Sequence, residues 1–191
     1  LSKIVENIFE EVALGLEEKH ITVVNKLPSE VILTGSSSLL YSIFRNLTDN
    51  AIAYAGNDIQ ITINCFREDE KFYYFSFSDT GVGVPEEHLN RLFERFYRVD
   101  KGRSRKLGGT GLGLAIVKNA VLFHGGTIFA KNMPKGGLEF VFTLKKDNKD
   151  KNNSRQDILY LLKTKATTIF PNASTSVEVL EYSPESTAVL L

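Results

Sequence analysis

The chain of 191 residues is 42% hydrophobic and 24% charged, which is enough apolar content for a packed core and too much for wholesale disorder. Lysine and arginine total 23, as do aspartate and glutamate, and that balance argues against a generally basic nucleic-acid binder and against a strongly acidic chain. A single cysteine, Cys65, excludes an internal disulfide and any multi-cysteine metal site. No apolar run approaches the ~20 residues of a bilayer-crossing helix, and no signal peptide is visible. A start at Leu1 rather than methionine reads as a fragment.

Residues 2–18 place Ile4, Val5, Ile8, Phe9, Val12, Ala13 and Leu16 at three-and-four spacing, which predicts one amphipathic helix with Ser2 as its cap. Two short extended runs are expected at 20–24 and 31–34, separated by a turn at Pro28. A second helix is expected over 38–54, with Leu40, Ile43, Leu47, Ala51 and Tyr54 along one face. Alternating β-branched and aromatic residues predict a hairpin with arms at 59–66 and 72–78. A glycine-punctuated loop region follows over 79–111, then a third helix over 112–123. Closing strands are expected at 126–132 and 138–145, turned at residues 134–137. The composition shifts at 146, where a polar Lys/Asn-rich linker opens an extension running to 191. The expected organisation is a body at 1–145, an α+β helix-over-sheet layer structure, with a tail over 146–191.

Three clusters carry chemistry. Asn46, Asp49 and Asn50 lie within five positions of the second helix, where such side chains are disfavoured because they compete for backbone hydrogen bonds. An oxygen-rich surface for a ligand or a hard cation such as Mg²⁺ is one reading, and a polar outer face is the other. Asp79 ends a strand and is followed by Gly81 and Gly83; an ionised carboxylate only accepts hydrogen bonds and so suits the exocyclic amine of an adenine. An ordinary strand-to-loop turn explains the same residues. Gly108, Gly109, Gly111 and Gly113 lead into a helix whose first N–H groups and dipole favour phosphate. This run is neither the dinucleotide fingerprint nor a Walker A loop. Between the second and third clusters, residues 91–106 hold seven basic residues against Glu94 and Asp100, so a neutral chain concentrates +5 in sixteen positions. Such a segment reads as a lid over polyphosphate, anchored by Phe93 and Phe96, or as a solvated loop.

Taken in order, Asn46 and Asn50-Ala51, Asp79 with Gly81 and Gly83, Phe93 with Phe96-Tyr97, and Gly109-Thr110-Gly111-Leu112-Gly113-Leu114 resemble the N, G1, F and G2 boxes of sensor histidine kinase catalytic domains. The resemblance covers residues 1–145. It implies the ATP-binding fold shared with gyrase, Hsp90 and MutL: a two-layer α/β sandwich of Bergerat type, with a mixed sheet of about five strands, about three helices on one face and a flexible lid.

The resemblance also implies roles. Asn50 would hold Mg²⁺, with Asn46 near the phosphates. Asp79 would read the adenine amine, Gly81 and Gly83 would allow close approach, and Tyr54 would lie near the base or sugar. Arg98, and less directly Arg95, would meet the terminal phosphate. The backbone around Gly109, Thr110, Gly111, Leu112 and Gly113 would wrap the polyphosphate. ATP and Mg²⁺ are the implied cofactors. The implied partners are a dimerisation domain carrying the phosphoacceptor histidine and a response-regulator receiver domain, with no nucleic acid. The fragment would be a monomer from a homodimeric parent, on the cytoplasmic side of any inner-membrane anchor.

Hydrolysing relatives place a glutamate base at the position of Asn46, and an amide cannot act as a general base near neutral pH. That favours phosphoryl transfer over hydrolysis. Many members carry a basic residue at the position of Ala53, and its loss would weaken nucleotide binding by about 1.5–3 kcal/mol unless the lid arginines compensate. None of the three histidines, His20, His88 and His124, sits in a phosphoacceptor context. A nucleotide-sensing or scaffold module that transfers no phosphate, and a gyrase-type ATPase, are the competing readings.

Overall fold

The computed structural model describes residues 1–33, 35–99 and 110–146. Apart from Lys146, the expected linker and extension lie outside the described residues, as do Gly108, Gly109 and positions 100–106 of the basic run.

The expected first helix is two: α1 (Ser2–Glu11) and α2 (Ala13–Glu18), divided at Val12, where φ is −103° and ψ 9°. Hydrogen bonding continues across the break, since Val12 N donates to Ile8 O and Leu16 N to Val12 O, each at 3.1 Å. Both segments therefore keep Val5, Ile8, Val12 and Leu16 on the core. Leu1, not Ser2, occupies the cap position. The Ser2 hydroxyl instead donates to the Pro28 carbonyl at 3.0 Å, tying down the loop beyond the first strand.

That strand, β1 (Thr22–Lys26), starts two residues later than expected because His20 takes a left-handed φ of 52°. Residues 31–33 form no strand; Val31 is buried there by side-chain packing alone, without a ladder partner. The central helix α3 (Ser37–Tyr54) starts from Ser36, whose side chain accepts from Leu39 N at 3.4 Å. It buries Leu40, Ile43, Phe44, Leu47, Thr48 and Ala51.

The hairpin consists of β2 (Gln60–Glu68) and β3 (Phe72–Asp79), antiparallel with an irregularity between Cys65 and Arg67. Asp69 closes its turn, accepting from the Tyr74 hydroxyl at 2.7 Å and from Lys71 N and Phe72 N at 2.8 Å each. Those bonds hold its carboxyl down at about 2. A short α4 (Glu86–Leu89) precedes α5 (Gly113–Phe123), followed by β4 (Ile128–Asn132) and β5 (Leu138–Lys145). The sheet order is β1-β2-β3-β5-β4, with β1 parallel to β2 and the other pairs antiparallel. This is the expected open, mixed, five-stranded α+β sheet.

Alternation puts Ile61, Ile63, Phe75, Phe77, Phe140 and Phe142 on the covered face. Thr62, Asn64, Ser78 and Thr143 take the other face. The helices α1, α3 and α5 bury their apolar stripes on the first. At its centre Phe75 stacks on Phe142, centroids 5.3 Å apart, and Phe44 of α3 meets Phe142 at 5.8 Å. Phe142 thus joins helix layer to sheet. Phe142→Ala should cost about 3–5 kcal/mol, the usual range for an emptied aromatic core position, measured as a fall in the urea unfolding midpoint.

Candidate functional site

The site grows from the end of β3. Asp79 is only 4% exposed, because it ends a central strand covered by the following loop and by the β4–β5 turn. Its Oδ1 accepts from Gly81 N at 2.9 Å and from Leu138 N at 3.4 Å. Burial pushes the carboxyl up from its ordinary range, and these two backbone donors pull it partly back. Both bonds fall on Oδ1. Among the described residues the one sealed, unpartnered side-chain polar atom is His124 Nε2, so Oδ2 of Asp79 is not walled in.

The glycines of this loop make room for neighbouring groups of the protein itself. A Cβ on Gly81 would overlap the Ala55 carbonyl, which accepts from Val82 N at 3.1 Å. Gly83 has φ +68°, and a Cβ there would lie 2.8 Å from Asn132 Oδ1.

Asn46, Asn50 and Tyr54 recur every fourth residue on α3, half-buried beside its apolar stripe. Asn46 Nδ2 donates to Ser42 O at 2.7 Å. Its Oδ1 lies against the first turn of α5, where a Cβ on Gly113 would come within 2.9 Å. Asp49 does not belong with them. It pairs with Arg45 at 3.0 Å, and Arg45 pairs with Glu11 of α1 at 2.7 Å. The expected oxygen-rich cluster therefore reduces to the two asparagines.

Gly111, at φ +71°, accepts from Phe96 N at 2.8 Å. Thr110 Oγ1 accepts from Leu112 N at 3.3 Å. Helix α5 then starts from Leu112 with no side-chain cap and no acidic residue in its first turn. Of the two expected lid anchors, Phe93 meets the core edge-on at Phe140, 6.1 Å between centroids. Phe96 does not anchor: it is 70% exposed with φ +64°, held by its backbone rather than its ring. Arg95 is exposed and Arg98 half-buried, and among the described residues neither forms an ion pair.

The asparagine face of α3 is thus bracketed, by Gly113 at Asn46 and by the glycine loop at Ala55. Nine residues separate these points, about 13 Å along the axis. No group of three His, Cys, Asp or Glu among the described residues is placed to hold a metal; the polar side chains on this face of α3 are the two asparagine amides and the Tyr54 hydroxyl. Three residues that support the site from behind were not anticipated: Asn132, Gly137 and Leu138. The sequence reads 134–137 only as a hairpin turn, although Gly137, at φ +98°, is required because a Cβ there would overlap the Asp79 carbonyl. The paired glycines after Pro134 are the available signal.

Residues 35–148 match the family described as histidine kinase-, DNA gyrase B-, and HSP90-like ATPase. The chain belongs to that family. It is 38% identical over 130 residues to the sensor histidine kinase WalK of Bacillus subtilis (strain 168), a match covering 67% of this chain and 21% of that protein. The chain therefore spans about a fifth of that relative's length. Its fold matches full-length ShkA solved in complex with AMPPNP, with a TM-score of 0.63 and 25% identity over 76% of this chain and 30% of that one. It also matches the histidine kinase ThkA solved in complex with response regulator protein TrrA, with a TM-score of 0.62 and 21% identity, over 77% of this chain and 40% of that one.

The buried Asp79 makes a stability prediction. Its folded-state affinity for a proton exceeds that of the unfolded chain, so the native state is penalised above the raised pKa. That penalty fades as pH falls and is gone below the ordinary carboxylate range, where both states are protonated. Asp79→Asn keeps an acceptor for Gly81 N and Leu138 N without the charge. It should melt at a higher temperature than the wild-type chain at about pH 7, in the absence of any ligand, with the difference vanishing as the pH is lowered through the ordinary carboxylate range.

Proposed function

We propose that this chain is the ATP-binding catalytic domain of a sensor histidine kinase, transferring the γ-phosphoryl group of Mg·ATP to a histidine on a separate dimerisation domain. From there the group would pass to a response-regulator aspartate. The observation that carries the reading is the bracketed face of α3. At one end stands a buried carboxylate with one oxygen uncommitted, and at the other an uncapped helix N-terminus, with half-buried amides between them.

The residues fit the nucleotide. Asp79 Oδ2 suits an exocyclic amine, a donor that purines with a carbonyl at that position lack. Tyr54, at the Ala55 end of α3, offers a ring and a hydroxyl to base or sugar. The first N–H groups of α5, with Thr110, Gly111, Leu112 and Gly113, suit an anion; Gly109, also expected in this wrap, lies outside the described residues. Arg95 and Arg98 are cations without an ion pair among the described residues, available to the terminal phosphate. Asn50 is the protein donor for Mg²⁺, whose chemistry when bound is to neutralise phosphate charge and orient the transferred group. Asn46 supports transfer over hydrolysis, since its amide is already a donor to Ser42 O and cannot take a proton from water. On this reading the domain works on the cytoplasmic side of the membrane, within a homodimeric parent. No helix among the described residues is long and apolar enough to cross a bilayer. The residues beyond 145 would then form a separate extension.

The test supplies a histidine-bearing dimerisation domain from a sensor histidine kinase together with ATP labelled at the γ-phosphate. Label should appear on that domain, and Asn50→Ala should abolish it. Asp79→Asn should weaken ATP-analogue binding roughly 10- to 100-fold, the loss of one hydrogen bond to a charged group. Free labelled phosphate with an unlabelled domain would mark a hydrolase and sink the proposal; binding with no turnover would mark a nucleotide-sensing module.

A further inference from the structure

We propose that Asn132 is a positioning residue for the nucleotide: its side-chain amide clamps the glycine loop after β3 and so sets where Asp79 presents its uncommitted oxygen. This role rests on the adenine-reading role of Asp79 and adds the device that holds that reader in place.

Asn132 is the last residue of β4, one of the two edge strands of the sheet. Its Oδ1 accepts from Val84 N at 2.9 Å and its Nδ2 donates to Val84 O at 2.6 Å. The amide thus takes both backbone groups of a single residue 48 positions away, as a paired strand would. Such a grip needs a side chain with one donor and one acceptor at this reach. Aspartate would set a carboxylate against the Val84 carbonyl, and serine offers a single atom. The approach is so close that the neighbouring residue must lack a side chain, and Gly83 does.

Among the described residues no other hydrogen bond joins Val82, Gly83 or Val84 to the β4–β5 turn. A groove of about 350 Å³ opens between loop and turn, lined by Val82, Val84, Pro85, Asn132 and Met133 together with glycine backbone. The two amide bonds span it, and the glycine backbones of loop and turn approach each other beside it. The far side of the loop is held by Val82 N on the Ala55 carbonyl, at 3.1 Å. The same turn reaches Asp79 directly through Leu138 N. Residues 132–138 therefore hold the carboxylate and its loop as one body, with Asn132 as the outer tie. Val84 lies beyond the glycines that follow Asp79, so releasing the tie loosens the loop without removing any group that touches the nucleotide. Its effect belongs to binding and base discrimination rather than to the transfer step.

The experiment compares wild-type, Asn132→Ala and Asn132→Asp chains in titrations with AMPPNP and with the matching guanine nucleotide, well below each melting temperature. Asn132→Ala should bind AMPPNP roughly tenfold more weakly, as expected when a preorganised loop must be ordered on binding. Its preference for adenine over guanine should shrink. Label transfer to the supplied dimerisation domain at saturating ATP should stay within about twofold, so that KM moves and kcat does not. Asn132→Asp keeps one bond and should fall between; it serves as the test if the alanine variant does not fold. A residue that only stabilised the fold would lower the melting temperature and leave the base preference untouched, which would overturn the proposal. So would a folded variant that binds AMPPNP as the wild-type chain does, with the same preference. If the wild-type chain binds no adenine nucleotide, the functional reading fails and the positioning role falls with it. The clamp itself is read separately by amide exchange at Val84, which should be slow in the wild-type chain, fast in Asn132→Ala and intermediate in Asn132→Asp, which keeps the acceptor for Val84 N.

Discussion

A carboxylate buried at the end of a central strand is the constraint from which the site follows. Removing such a group from water is unfavourable unless donors replace the lost hydration. At Asp79 the donors are two backbone N–H groups from segments far apart in sequence, at Gly81 and Leu138. For both to reach one oxygen, the loop after β3 and the turn before β5 must approach the strand end more closely than side chains allow. That is why Gly81 and Gly137 have no room for a Cβ, the first against the Ala55 carbonyl and the second against Asp79 itself. One charged side chain thereby dictates glycine at two distant positions and fixes the junction of β3, β5 and α3.

Helix α3 carries the other half of the construction by presenting three different faces. Its apolar stripe sets Phe44 against the Phe75–Phe142 stack. A second face holds Asn46, Asn50 and Tyr54. On a third, Arg45 bridges Asp49 and Glu11, with the Tyr41 hydroxyl donating to Glu11 at 2.5 Å. The Glu11 carboxylate that accepts this bond holds the Tyr41 phenol above its ordinary range. These pairs are partly exposed and add little stability singly, but they orient α1 on α3 and keep Asp49 off the asparagine face. A helix whose other polar residues are assigned in this way leaves its two amides and Tyr54 on the face that a ligand would meet.

The elements that periodicity specifies were legible: α3, the β2–β3 hairpin, β5 and the α5 helix lie close to where alternation and three-and-four spacing put them. The break at Val12 was not, because the apolar stripe runs through it unbroken and the change lies in two backbone angles. Residues 31–33 look like a strand because Val31, Ile32 and Leu33 are apolar and largely β-branched, yet a strand exists only where a partner offers a ladder. At the site, motif order was readable while the reasons for the glycines were not. Absence of a side chain is equally required for a ligand and for neighbouring backbone. Only the fold shows that Gly81, Gly83, Gly111 and Gly113 first make room for Ala55, Asn132, Phe96 and Asn46. Phe96 departs from expectation for a related reason. An aromatic residue implies burial, but a residue at φ +64° held by a backbone bond to Gly111 can leave its ring in solvent. Asn132 carried no signal at all, since a lone asparagine before a turn is ordinary turn chemistry.

The two ends of the site are built on different principles. At the Asp79 end the groups are buried, hydrogen-bonded to one another and locked by glycine contacts, so their geometry exists before anything binds. At the Asn46 end the first turn of α5 has no side-chain cap, and Arg95 and Arg98 form no ion pair among the described residues. Helix α3 adds no cation of its own at Ala53. Preorganised groups hold a ligand at little entropic cost, whereas uncommitted donors and cations must be ordered when it arrives. On the proposed reading the base end therefore supplies recognition, and the phosphate end is completed by the nucleotide, its cation and the acceptor domain. That division suits transfer better than hydrolysis. On the same reading, a phosphate end completed by the acceptor domain would keep the reactive group from water until a histidine is in place to receive it.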